Sequence, residues 1–89
     1  MKIVINKCYG GFCPSDAVME ELRKRGKPFE RYIVPRNDPD LVDLVESMGA
    51  EANGPCSSLK VVEIPDGVNW QLEEYDGIEW IAEVHRTWA

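Results

Sequence analysis

Apolar residues fall in short blocks whose spacing changes along the chain. Ile3, Val4 and Ile5 are consecutive and β-branched, so Lys2 to Lys7 predicts a strand covered on both faces. Residues 8–14 read as a loop. Ser15 suits a helix N-cap and Asp16 the positive end of the dipole. The helix runs to about Arg25, where Gly26 stops it. Val18 and Leu22, with Ala17, give it a narrow apolar stripe. Phe29 to Val34 predicts a second strand, followed by the loop "PRNDP". Asp38 caps the next helix and Pro39 takes its first position, where a missing N–H is harmless. Leu41, Leu44, Val45 and Met48 supply its buried face, and Gly49 closes it.

Beyond the loop "GAEANGPCSS", "LKVVEI" (residues 59–64) predicts a third strand and "VNWQLEEY" (residues 68–75) a fourth. Val68, Trp70 and Leu72 share one face by alternation. The turn Pro65-Asp66-Gly67 is short enough to pair the two strands as an antiparallel hairpin. After Asp76-Gly77, a rotation of about 100° per residue puts Ile78, Ile81, Ala82, Val84 and Trp88 on one arc. His85 lies inside that arc, while Glu79, Glu83 and Arg86 point away, which predicts a closing helix.

The expected order is β-α-β-α-β-β-α. Right-handed crossovers set the second strand parallel beside the first and bring the third to its other side. This α/β arrangement resembles the thioredoxin-like fold: a four-stranded mixed sheet, order 2-1-3-4, flanked by helices, as a single domain over residues 1–89. Residues 2–34 also resemble the opening of a glutaredoxin, with the same succession of strand, cysteine loop, helix and strand.

Charge divides the chain. Residues 1–36 carry net +4 and residues 37–89 net −10, for −6 overall. That balance argues against bulk nucleic acid as a partner, yet leaves a basic end able to meet a small anion. "RKRGK" (Arg23 to Lys27) also suits a helix C-terminus. Apolar content of 44% is that of a globular chain, and no apolar run reaches the ~18 residues of a membrane span. "MKIVIN" reads as a strand rather than a signal peptide, so the expected setting is cytoplasmic, with no membrane partner.

Three cysteines and one histidine, at spacings that match no common zinc pattern, give no expectation of a metal or other cofactor. The glutaredoxin resemblance implies a reactive thiol where the first loop enters the first helix. Cys13, before Pro14-Ser15, stands at that place. The chain lacks the second cysteine of C-x-x-C and the proline immediately before the third strand that such a thiol site requires. Cys8 reads as a small packing residue, and His85 as a core residue or a base for Cys13.

"KIVINKCYGGF" with Ser15 and Ala17, and "EANG…LKVVEIPDG…YDGIEWIAEVHRTW", resemble a family of small, mostly uncharacterised phage and prophage proteins. The resemblance spans nearly the whole chain and implies a phage context without an activity. Relatives there carry glycine at the position of Cys13, which implies that Cys13 serves no function common to the family.

The first-strand exit lies at the carboxyl edge of the expected sheet, where open α/β sheets bind ligands. Tyr9, Gly10, Gly11 and Phe12, together with His85 and Arg86 from the closing helix, are the expected ligand-binding residues. Arginine would pair with phosphate and an aromatic ring would stack on a base. The leading expectation is a non-enzymatic binding protein that sequesters a nucleotide-like ligand or blocks a host factor, for example a defence component. The alternatives are a thiol oxidoreductase using Cys13 and a structural or homodimeric accessory protein, for which "VNWQLEEY" offers an edge strand whose acids work against pairing.

Overall fold

A computed structural model describes residues 1–84. Its elements are β1 (Lys2–Asn6), α1 (Asp16–Lys24), a 3-10 turn (Arg31–Ile33), α2 (Pro39–Met48), a second 3-10 turn (Gly49–Ala52), β2 (Leu59–Glu63), β3 (Trp70–Tyr75) and β4 (Ile78–Glu83). The strands form two separate antiparallel pairs, β1 with β2 and β3 with β4.

Both helices start as their caps dictate. Ser15 Oγ accepts the Val18 N–H at 3.3 Å, and Asp38 Oδ2 accepts the N–H groups of Asp40 and Leu41 at 3.1 and 3.0 Å. Gly49 leaves α2 with φ +59. Val18 and Leu22 of α1, and Leu41, Val42, Leu44 and Val45 of α2, pack with Val4, Phe12, Val34 and Ala52 into one core, flanked by Leu59 and Val61. Ile3 and Ile5 alternate to the opposite face of β1 and are buried as well.

The four-stranded mixed sheet is not formed, and the thioredoxin-like arrangement is corrected in three places. First, Arg31–Ile33 is a 3-10 turn rather than part of a strand. Pro28 and Pro35 bracket the segment, so no ladder hydrogen bond can be donated at either of its flanks and φ is fixed there. Second, "LKVVE" pairs with β1, in the register Ile3↔Val62 and Ile5↔Lys60, and not with "VNWQLEEY". The amino group of Met1 donates to the Ile64 carbonyl and to Asp66, drawing Pro65-Asp66-Gly67 toward the chain start. Third, the closing helix is a strand through Glu83. Asp76 (φ 50) and Gly77 (φ 91) form a two-residue turn with both central residues at positive φ, whose twist matches a hairpin.

The outer edge of β1 shows what replaces the missing neighbour. The Val4 N–H donates to the Arg36 carbonyl at 2.8 Å, and the Asn6 N–H donates to Oε1 of Glu79 at 2.8 Å. One backbone carbonyl and one side-chain carboxylate thus take the two donors that a paired strand would have taken. An edge satisfied in this way offers no template for a further strand.

Surface charges tie α1 to α2. Arg25 Nη1 reaches Asp40 and Asp43 at 2.9 and 3.0 Å, and Lys27 Nζ reaches Asp38 and Asp40 at 2.7 and 2.6 Å. Hydrogen bonds from Lys27, then Arg25, hold the Asp40 carboxyl below its ordinary value, and a hydrogen bond to Asp38 raises Lys27. A carboxylate depressed in the folded state stabilises above its unfolded pKa, near 4, and loses that contribution as pH falls through the folded value. Asp40→Asn should therefore flatten the decline of stability below pH ~4, an effect that shrinks in high salt because the groups face water. Urea midpoints across that range at two salt concentrations measure it; an unchanged acid limb would remove Asp40 from the explanation.

Candidate functional site

Asn6 ends β1 and is fully buried. Its Nδ2 donates to the carbonyls of Cys8 (2.7 Å) and Gly77 (2.6 Å), and its Oδ1 accepts the Ser58 N–H (2.8 Å). A single amide therefore joins the start of the cysteine loop, the β3–β4 turn and the approach to β2. Beside it, Glu79 is 5% exposed and takes Arg36 in a two-pronged pair, with Nη2 to Oε2 at 2.8 Å and Nη1 on Oε1. The Arg36 guanidinium lies 3.6 Å over the Phe12 ring. Helical periodicity set Glu79 on a solvent face. In β4 it points inward, since alternation replaces the helical arc.

This network decides where the expected ligand residues stand. Tyr9 is 72% exposed, while Phe12 is 7% exposed and covered by Arg36. Gly10 backs onto Cys56: a Cβ there would lie 1.9 Å from the Cys56 carbonyl oxygen. Gly11 has φ +90 with open space beside it, and a Cβ on Gly77 would lie 2.5 Å from both Gly11 N and Tyr9 O. The glycines thus let three backbone segments approach closely. Tyr9 and Phe12 point into different surroundings. His85 and Arg86, and with them the expected meeting of the two chain ends, lie outside the described residues.

A recessed surface lies beyond Cys13. Cys13, Gly10, Arg31, Tyr32, Pro55 and Cys56 line a hollow of about 330 Å³. A second of about 380 Å³ adjoins it, sharing Arg31 and Pro55 and adding Ser15, Asp16 and Asn53. A third of about 370 Å³ shares Arg31 and Tyr32 and adds Met19, Arg23, Pro28 and Phe29. Arg31 is the common wall of all three. It pairs with Asp16, whose side chain is 91% exposed, and the Tyr32 ring beside it is 69% exposed.

The loops carrying the cysteines are held together by main-chain geometry. Pro14 bridges Asn53, the Ser15 N–H donates to the Ala52 carbonyl at 2.9 Å, and the Gly54 N–H donates to the Cys13 carbonyl at 2.8 Å. Pro55 therefore sits across from Cys13, with a trans peptide bond like all those described. All three cysteines are free thiols. Among the described residues no three His, Cys, Asp or Glu side chains are grouped so as to hold a metal ion, and no helix is long and apolar enough to cross a membrane.

Arg31, Tyr32 and Cys56 were not among the expected site residues. The first two fell inside the expected second strand, Phe29 to Val34, which gave them no part in a site. The bracketing prolines were the available signal. For Cys56 the chain order carries none, because its neighbours arise only from loop packing. No family model, curated protein or solved structure matches this chain significantly.

Proposed function

We propose that this protein binds a small, anionic, ring-bearing ligand of nucleotide type in the hollows around Arg31 and Tyr32, and acts by sequestering it rather than by transforming it. The observation that carries this reading is the position of Arg31 as the shared wall of three adjoining hollows, with the exposed ring of Tyr32 next to it. A phosphate can take Arg31 in a two-pronged, charge-assisted pair, and a base can stack on Tyr32. The existing partner of Arg31 is no obstacle. Asp16 is almost fully exposed, and such surface pairs hold by about 0–1 kcal/mol, so a dianion displaces it readily. Arg23, in the third hollow, adds a second cation for a longer phosphate chain. The resemblance of the two end motifs to phage proteins supports a setting in the cytoplasm of an infected cell.

Titration calorimetry with a nucleoside monophosphate, the bare nucleoside and ribose phosphate separates the contributions. The monophosphate should bind most tightly. Arg31→Ala should weaken it about tenfold or more, the loss of one charge-assisted pair, and Tyr32→Ala by about 1–3 kcal/mol. No saturable binding by any of the three at millimolar concentration, or binding indifferent to Arg31→Ala, would end this reading.

A further inference from the structure

Cys13 and Cys56 are distant in sequence yet line the same hollow. Their approach is built by the backbone. The Ser57 N–H donates to the Gly54 carbonyl at 3.3 Å, closing a turn with Pro55 and Cys56 at its centre. Both ends of that turn dock on the carbonyl of Cys13: the Gly54 N–H at 2.8 Å and the Ser57 hydroxyl at 2.6 Å. Two glycines let the cysteine-bearing loops approach. A Cβ on Gly54 would lie 2.7 Å from Cys13 Sγ, and one on Gly10 would lie 2.2 Å from Cys56 Cβ. Any larger residue at either place would wedge the two loops apart. Cys56 is exposed and Cys13 is half-buried.

We propose that Cys13 and Cys56 form a dithiol site that exchanges with small anionic disulfides. Cys56, the accessible sulfur, attacks first as its thiolate. Its sulfur bonds to one sulfur of the disulfide R–S–S–R, the S–S bond breaks, and one R–S⁻ departs and is protonated. The thiolate of Cys13 then attacks Sγ of Cys56 in the mixed disulfide. The Cys13–Cys56 bond forms and the second R–S⁻ departs, also taking a proton. The protein loses two electrons and two protons, and the substrate becomes two thiols. Arg31, in the same hollow, offers a cation to carboxylates on R. The pair differs from a C-x-x-C motif because its second sulfur comes from the turn before β2. This site shares Arg31 with the proposed nucleotide cleft, but its chemistry needs no nucleotide and is read in its absence.

The full-length protein is incubated with oxidised glutathione, then analysed by intact mass and by peptide mapping without reduction. The wild type should lose two hydrogens and yield a peptide linking Cys13 to Cys56. Cys13→Ser should accumulate a glutathione adduct on Cys56, because the resolving sulfur is gone. Cys56→Ser should react about tenfold more slowly, since only less accessible thiols remain. Cystamine, a cationic disulfide, should oxidise the wild type more slowly than glutathione does, and Arg31→Ala should narrow that difference. Linkage through Cys8, cross-linked dimers, or no linkage after full oxidation would overturn the proposal. The wild-type linkage map decides between these outcomes even if a cysteine variant fails to fold.

Discussion

Glu79→Ala should lower the free energy of unfolding by about 3 kcal/mol, the lower end for a buried pair, because it takes the carboxylate from a part-buried Arg36 charge. It also strips the acceptor from the Asn6 N–H on the β1 edge. Domains of this size hold on the order of 5–10 kcal/mol in total, so the variant should sit near the edge of folding at ambient temperature. Glu79→Gln keeps an oxygen for Asn6 and loses the charge, so it should fall between alanine and wild type. Glu83→Ala, at an exposed glutamate on the same face of β4, should stay within about ±0.5 kcal/mol. Urea denaturation of the four proteins makes the comparison. A Glu79→Ala midpoint matching that of Glu83→Ala would mean that the hairpin is not anchored through this carboxylate. Because the same pair holds Arg36 over Phe12, the loss should also loosen the cysteine loop and reduce ligand binding at Arg31.

The second large effect concerns the glycines. Gly67 (φ 80) and Gly77 (φ 91) both lie in the left-handed region, so alanine costs about 1–2 kcal/mol at either from conformation alone. Around Gly67 the space is open. At Gly77 the added carbon would strike three backbone atoms of the Tyr9–Gly11 loop. Gly77→Ala should therefore be worse than Gly67→Ala by a further ~1–3 kcal/mol of overpacking. Gly10→Ala, with no positive φ, should show the clash with Cys56 by itself, and it should also disturb the exchange chemistry at Cys56. Thermal melts of the three variants test the ordering. Equal losses at Gly67 and Gly77 would show that the turn and the cysteine loop do not pack as described.

Both effects fall where distant segments touch, and the chain's local pattern stops short of such places. Strand β1 and both helices are written locally. Ser15 and Asp38 mark helix starts through their own side chains, Pro39 fits only a first turn, and the apolar spacing of Leu41, Leu44 and Val45 selects one face. The last third carries a legible signal too, but two periods fit it. Ile78, Ile81 and Ala82 suit a helical arc, yet the Asp-Gly pair before them is a hairpin signal, and Tyr75↔Ile78 is the register it sets. Periodicity over six residues cannot choose between those geometries. The turn chemistry can, and it bears on where Glu79 points.

Local chemistry alone was enough for the parts whose causes are near neighbours: one buried strand, two capped helices, the glycine loop between them and a basic first third facing an acidic remainder. Which segments meet was settled by packing in three dimensions. Packing put "LKVVE" on one edge of β1 and the Arg36 carbonyl with the Glu79 carboxylate on the other. It also set Cys56 beside Cys13 and made Arg31 the wall of a cleft. Each of those contacts joins residues far apart in the chain. Their partners are fixed by which buried donors and charges remain unsatisfied once the core has closed, a condition that no short window of residues contains.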